Sequence, residues 1–188
     1  MRVIAGKYRS RRLRSLPGLD LRPTADRLRE TLFDILTAGN PEALQGSVWI
    51  DLFAGTGAVG IEALSRGARM VHFVDSSAQA AELIRKNLQD LQIDRGFQVL
   101  GQDAIQAING LRSSRVQADF VFLDPPYRME EVYSRALHAL AKSGVVKPSG
   151  MVIAEHQKKF DPGAKVASLQ RHRLLVQGDA ALSFYRTI

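Results

Sequence analysis

The sequence predicts an α/β fold: a largely parallel sheet of seven strands, helices on both of its faces, and a short basic hairpin in front. Three observations predict it. From Val48 onward, short apolar runs alternate with amphipathic segments, the pattern of strands joined by crossover helices. A glycine-rich turn, Gly55-Thr-Gly-Ala-Val-Gly60, stands between the first apolar run and the helical pattern after it. The chain has 188 residues, 45% hydrophobic and 24% charged, which suits one globular core and rules out collagen-like, coiled-coil and disordered chains.

The first element is basic. Residues 1–29 carry nine Lys and Arg against two Asp, whereas the remaining 159 residues hold 17 of each sign, so the whole formal charge of +7 belongs to the N-terminus. Val3 and Ile4 are a brief apolar patch, Gly6 can turn the chain, and Lys7, Arg9, Arg11, Arg12 and Arg14 follow with Arg22 at the hinge. Residues 1–22 are therefore expected to form a basic arm on a domain of residues 23–188. Such a cluster is either a solvated tail or a grip on a polyanion backbone. Pro17, Gly18 and Pro23 punctuate a linker ending at Thr24, the expected N-cap of a helix that presents Leu28, Leu32, Ile35 and Leu36 on one face. Gly39 and Pro41 stop that helix.

Five strands are then expected at Val48–Phe53, Met70–Asp75, Phe97–Leu100, Asp119–Asp124 and Met151–Glu155, short and nearly continuous as strands buried on both faces must be. Ala81, Ile84, Leu88 and Leu91 recur at helical spacing between the second and third. Arg171–Gln177 and Leu182–Thr187 predict two closing strands in a hairpin around Gly178-Asp179.

Exclusions narrow the function. No charge-free run exceeds ten residues, and Lys7, Arg9, Arg11 and Arg12 stand where a signal peptide needs its apolar stretch, so a soluble, cytoplasmic protein is expected. Zero cysteines exclude disulfides, thiolate metal sites and a Cys nucleophile.

The glycine turn carries the first chemistry. Glycines let a ligand approach the backbone beside a helix N-terminus, which marks Phe53, Ala54, Gly55 and Gly57 as cofactor contacts. Asp75, 20 residues after Gly55, can accept ribose hydroxyls, with Ser76 beside it. NAD and S-adenosylmethionine both satisfy that geometry. Asp51 favours the second, because a carboxylate before the glycines repels a pyrophosphate and suits a sulfonium and an amino group. Asp103, followed by Ala104, either accepts from an adenine amino group or caps the next helix.

The sharpest signal is an apolar strand emptying into Asp124-Pro125-Pro126-Tyr127, at the strand end where open α/β sheets bind ligands. Consecutive prolines fix the backbone and lack N–H donors, so this turn is rich in acceptors beside an aromatic ring. Asp124 and the Pro125 carbonyl can take the two hydrogens of an exocyclic amino group while Tyr127 stacks on the base.

With these motifs the chain resembles the class I S-adenosylmethionine-dependent methyltransferases that modify exocyclic amino groups, and more closely the small bacterial 16S ribosomal RNA guanine-N2 methyltransferases. Three further stretches carry the resemblance: Arg2–Leu13, Arg22-Pro-Thr-Ala-Asp-Arg-Leu-Arg-Glu-Thr-Leu-Phe33, and Asp51 to Ala68. Tyr127 stands where many members have Phe, which keeps the ring and adds a hydroxyl. The resemblance implies a Rossmann-like, seven-stranded sheet whose last strand is antiparallel, S-adenosylmethionine over Asp51 to Gly57, and the target base at Asp124 to Tyr127. It further implies action on 16S rRNA in an assembling or assembled small subunit, and a monomer without metal or membrane is expected. The arm would grip the RNA, and removing residues 1–14 is expected to impair RNA methylation while leaving cofactor affinity nearly intact. Competing readings are an adenine-N6 or cytosine-N4 amino-methyltransferase, an NAD-dependent oxidoreductase, and a noncatalytic RNA-binding module. The missing cysteine argues against methylation at pyrimidine C5.

Overall fold

The computed structural model describes residues 1–15, 23–126 and 129–188, with the side chains of 23–25 left aside. The predicted sites Arg22 and Tyr127 therefore lie outside the described residues.

In chain order the elements are α1 (Pro23–Thr37), β1 (Val48–Leu52), α2 (Ala58–Ser65), β2 (Met70–Val74), α3 (Ala78–Asp90), β3 (Phe97–Leu100), α4 (Ala104–Ser113), β4 (Ala118–Leu123), α5 (Glu130–Ser143), β5 (Val146–Gln157), β6 (Lys165–Val166), β7 (Leu169–Gln177) and β8 (Ala180–Thr187). One sheet results, ordered β3-β2-β1-β4-β5-β8-β7-β6. The first five strands in that order pair in parallel and the rest antiparallel.

Eight strands rather than seven is a correction. The unforeseen one, β6, pairs only Lys165 and Val166 with β7, too short to print an alternation on the sequence. The hairpin around Gly178-Asp179 forms as expected, with Gln177 opposite Ala180 and Gly178 at a φ of 65°. A second correction concerns α1, which begins at Pro23 and so takes Thr24 into its first turn. Proline suits that position, because its missing N–H would have had no partner there and its φ is already helical.

Side-chain alternation splits the core. Trp49, Phe73, Phe122, Ile153 and Phe184 point to one face, where α1, α2 and α3 supply Leu32, Phe33, Ile61, Ile84 and Leu88. Ile50, Leu52, Val74, Val121, Leu123, Val152 and Tyr185 point to the other, under α4 and α5. The same parity puts Asp51 in β1, Asp124 just past β4 and Glu155 in β5 on the face of Trp49, Phe122 and Ile153. Three carboxylates of adjacent strands thus gather on the side covered by α1.

The basic N-terminus is a hairpin packed as part of this domain. Val3 N–H donates to the Arg11 carbonyl at 2.9 Å, Leu13 N–H to that of Met1 at 3.1 Å, and Arg2 bridges Arg12 antiparallel. Val3 and Leu13 are buried in the core shared with α1. Glu62, fully buried in α2, accepts the amides of Ile4 at 2.7 Å and Ala5 at 2.9 Å, and Arg66 pairs with it at 2.7 Å. Ser65 receives the Tyr8 amide at 2.9 Å on its hydroxyl and the Lys7 amide at 2.7 Å on its carbonyl. A deletion of residues 1–14 would therefore remove Val3 and Leu13 from the core as well as the basic charge, and is expected to lower stability along with RNA methylation. No helix among the described residues is long and apolar enough to cross a membrane.

Candidate cofactor and target-base site

The carboxyl ends of β1, β2 and β4, the loops that follow them, and α1 enclose a cavity of about 640 Å³. That lies within the range of roughly 300–1,000 Å³ of small-molecule sites. It brings together Asp51, Phe53, Ala54, Gly55, Asp75, Ser76, Asp103, Asp124, Pro125 and Pro126, so the expected cofactor loop and target-base turn face one space.

Two predicted residues stand back from it. Gly57 ends the loop at a φ of 76° and begins α2, where a Cβ would press within 3.3 Å of Ile84 and Phe73. Glycine is required there by the left-handed turn and the close packing. Ala104 is buried as the first residue of α4. Gly60, third of the glycines, is a packing residue: a Cβ would lie 2.3 Å from the Phe73 ring. Gly55 differs, since a Cβ there would meet nothing nearer than 4.0 Å and would project into open space beside the cavity.

The acidic side chains are held by backbone amides. Asp51, at the end of β1, is almost wholly buried and accepts the Gly60 amide at 2.9 Å. Burial pushes its carboxyl up to about 8, the Gly60 amide pulls against that shift, and the charge of Asp75 adds to it. Asp75 takes the Gly55 amide at 2.9 Å on one oxygen and the Ser77 amide at 2.9 Å on the other, which ties the glycine loop to the end of β2. Each oxygen keeps a second lone pair. Asp103 caps α4, with one oxygen accepting Ile105 N–H at 2.8 Å and Gln106 N–H at 3.4 Å. At Asp124 burial comes first, and the neighbouring charges of Glu155 and Asp51 push the carboxyl further above the usual carboxylate range.

Sequence reasoning missed part of the wall. Met1, Leu28, Arg29 and Leu32 line it from the hairpin and α1, Met129 and Val132 from the start of α5, and Glu155 from the end of β5. The parity of β5 could have found Glu155, because Ile153 and Glu155 share a face. Tyr133, fully buried in α5, puts its hydroxyl 2.9 Å from the Glu155 carbonyl and 3.2 Å from that of Pro125. It joins the proline turn to β5. Its helical spacing with Ala136, Leu137 and Leu140 disguised it as a plain core residue.

The donor set fits S-adenosylmethionine. Five carboxylates line the cavity with a single cation, Arg29. Carboxyl groups in that number, even with Asp51 protonated in the ligand-free site, suit a sulfonium, an ammonium and ribose and adenine donors and disfavour the dianionic pyrophosphate of NAD.

The predicted RNA contacts lie on the hairpin, where Lys7, Arg9, Arg11, Arg12 and Arg14 are all exposed. Arg14 pairs with Asp90 at 2.6 Å and Arg11 donates to the Asp90 carbonyl at 2.8 Å, so those two also clamp the hairpin to α3.

Comparison with known proteins agrees with this geometry. Residues 1–186 match the protein family described as Conserved hypothetical protein 95. Ribosomal RNA small subunit methyltransferase D of Haemophilus influenzae is 35% identical over 159 residues, covering 84% of this chain and 79% of that protein. Its Escherichia coli namesake is 29% identical over 186 residues, 99% of this chain and 89% of the relative. The solved structure of yhhF from Escherichia coli, described as a candidate methyltransferase, superposes with a TM-score of 0.82 at 26% identity, covering 100% of this chain and 97% of that one.

Proposed function

The chain belongs to the Conserved hypothetical protein 95 family of rRNA methyltransferases, and from that premise we propose that it transfers a methyl group from S-adenosylmethionine to the exocyclic N2 amine of a guanine in 16S rRNA. The fold is that of the class I methyltransferases. One observation carries the reading: the end of β4, Asp124-Pro125, opens into the same cavity as the glycine loop, Asp75 and Asp103. Donor and acceptor of the methyl group can thus meet in one space.

The cofactor, when bound, supplies an electrophilic methyl group on a sulfonium. The chain's part is to present the amine. A guanine amino nitrogen is a poor nucleophile, because its lone pair is drawn into the ring. Asp124 and the Pro125 carbonyl would each accept one of its hydrogens, which favours a pyramidal nitrogen with the lone pair freed, and the N–H proton given up once the nitrogen is methylated would pass to the Asp124 carboxylate. Tyr133 donates one proton shared between the Glu155 and Pro125 carbonyls, fixing the turn and leaving Pro125 a lone pair for the amine. Tyr127 is proposed as the ring on which the base stacks. Catalysis here is positioning and electrostatics, without a covalent intermediate on the enzyme. The base must leave its stack, at a cost of a few kcal/mol that an unpaired nucleotide minimises. Lys7, Arg9, Arg11, Arg12, Arg14 and Arg22 are proposed to hold the RNA backbone.

The test is transfer of labelled methyl to small-subunit rRNA, both naked and in 30S particles, with the modified nucleoside identified by mass spectrometry. N2-methylguanosine is expected. N6-methyladenosine or N4-methylcytidine would overturn the guanine assignment while keeping the amine pocket, and no transfer to either RNA form would overturn the reading.

A further inference from the structure

Residues 30–188 are neutral in sum, yet 156–188 carry six Lys and Arg against two Asp. Both acids are engaged: Asp161 pairs with Arg171 at 2.6 Å and Asp179 with Lys158 at 2.7 Å. The register of the last three strands gathers most of the remaining cations. Lys165 of β6 stands opposite Gln170 of β7, and Gln170 opposite Arg186 of β8, so these side chains share one face. A bulge in β7 between Arg171 and Arg173 decides where the two arginines go. Arg171 stays opposite Tyr185 and turns to Asp161 and Ser183, whereas Arg173 falls opposite Phe184 and joins the face of Arg186. The extra residue, His172, lies on that face too, its ring 6.4 Å from that of Phe184. Lys165, His172, Arg173 and Arg186 are all exposed, and no ion pair with an acidic side chain is seen for them among the described residues. The crowding registers on His172: burial first, and then the charges of Arg186 and Arg173, hold its imidazole below the usual value. Like charges gathered in this way work against folding and suit a polyanion.

The face is the one covered elsewhere by α1, α2, α3 and the basic hairpin. Leu182 of β8 lines the cavity and stands opposite Leu175 of β7, two residues on from Arg173 and on the same face. The hairpin reaches the cavity from the other end of the sheet, packing on α2 and α3 and adding Met1 to the wall. With neighbouring strands about 4.8 Å apart, β7 lies roughly 14 Å across the sheet from β4, the strand that leads into Asp124. We propose that Lys165, Arg173 and Arg186 form a second contact for the rRNA backbone, so that the strand bearing the target base is held on both sides of the cavity. The inference rests on rRNA as the substrate. It adds to the hairpin a surface that the neutral sum of residues 30–188 conceals.

The full chain carrying Lys165→Gln, Arg173→Gln and Arg186→Gln tests the contact. Its control carries Arg112→Gln and Arg135→Gln, which remove exposed cations from α4 and α5 on the opposite face. On small-subunit rRNA the triple variant should lose ~2–3 units of the slope of log affinity against log salt, and the control less than about half a unit. Affinity for S-adenosylmethionine should stay within about twofold of wild type in both, since none of the five residues lines the cavity. An unchanged slope in the triple variant would overturn the proposal, and so would an equal loss per cation in the control, which would reduce the effect to net charge. The absence of cysteine permits a positional readout as well. An RNA-cleaving iron chelate attached at Arg173→Cys should cut the rRNA at sites distinct from those cut from Arg9→Cys. Cuts from position 9 with none from position 173 would overturn the second contact. Wild type that neither binds nor methylates small-subunit rRNA would instead refute the substrate reading, and this inference with it.

Discussion

Asp51 holds its proton for the same reason that it suits a cationic ligand: it is buried at a strand end with one amide for company. With a folded value of about 8 against about 3.9 in an unfolded chain, the folded protein keeps a proton that the unfolded chain loses across that window. This contribution to stability is full below about pH 4 and is lost as pH rises to about 8, so the ligand-free protein should melt lower at pH 8 than at pH 5. Arrival of a cation reverses the preference and ionises the group. Titration with S-adenosylmethionine at pH 6.5 in buffers of different ionisation enthalpy should therefore show proton release approaching ~1 per site, fading above pH 8–9. Asp51→Asn should abolish most of that release. Asp124 makes a second prediction at this scale. Asp124→Ala should lower methyl transfer by ~100-fold or more while cofactor affinity changes by less than about threefold, as the proposed role against the target base requires. Asp124→Asn, which keeps a carbonyl acceptor, should retain measurable activity.

At the scale of elements, the contact between hairpin and α2 carries the prediction. Glu62→Ala removes the acceptor of two backbone amides and the partner of Arg66 from a fully buried position. Loss of a buried charged partner typically costs ~3–5 kcal/mol, and urea denaturation should show a drop of that order. Gly6→Ala should weaken the same contact without touching a charge, since its φ is 79° and a Cβ would fall 1.9 Å from the Ser65 carbonyl oxygen. Both variants should raise proteolysis within residues 1–14. Nothing in the sequence marks Glu62 as a hairpin anchor, because a single Glu in an apolar helix looks like a solvent-facing residue until tertiary packing buries it. Strand positions were legible for the opposite reason. β1, β2 and β4 are short, largely apolar and mostly buried, so local composition and tertiary environment agree, whereas β3, at the sheet edge, is only partly covered and departs from the expectation of burial on both faces. Asp51, Asp75 and Asp124 were legible because each ends such a strand. Arg29, Glu155 and Tyr133 were not, since their roles depend on which elements become neighbours.

For the molecule as a whole, the excess charge divides into cations that face solvent and cations that build structure. Arg29 is buried, while Arg11 and Arg14 are partly engaged with Asp90. Lys7, Arg9 and Arg12 are exposed, and no ion pair with an acidic side chain is seen for them among the described residues. Substituting these three with Gln tests the RNA grip without removing Val3, Leu13 or any cavity residue. Every phosphate deprived of its cation should reduce the slope of log affinity against log salt by about 0.7 to 0.9, so the triple variant should lose ~2–3 units of slope on small-subunit rRNA. Its affinity for S-adenosylmethionine should stay within about twofold of wild type, since none of the three lines the cavity. The two readouts separate the roles. An unchanged salt slope would assign the hairpin's exposed charge to solvation alone, whereas weakened cofactor binding would show that the hairpin's part in the cavity wall had been disturbed as well.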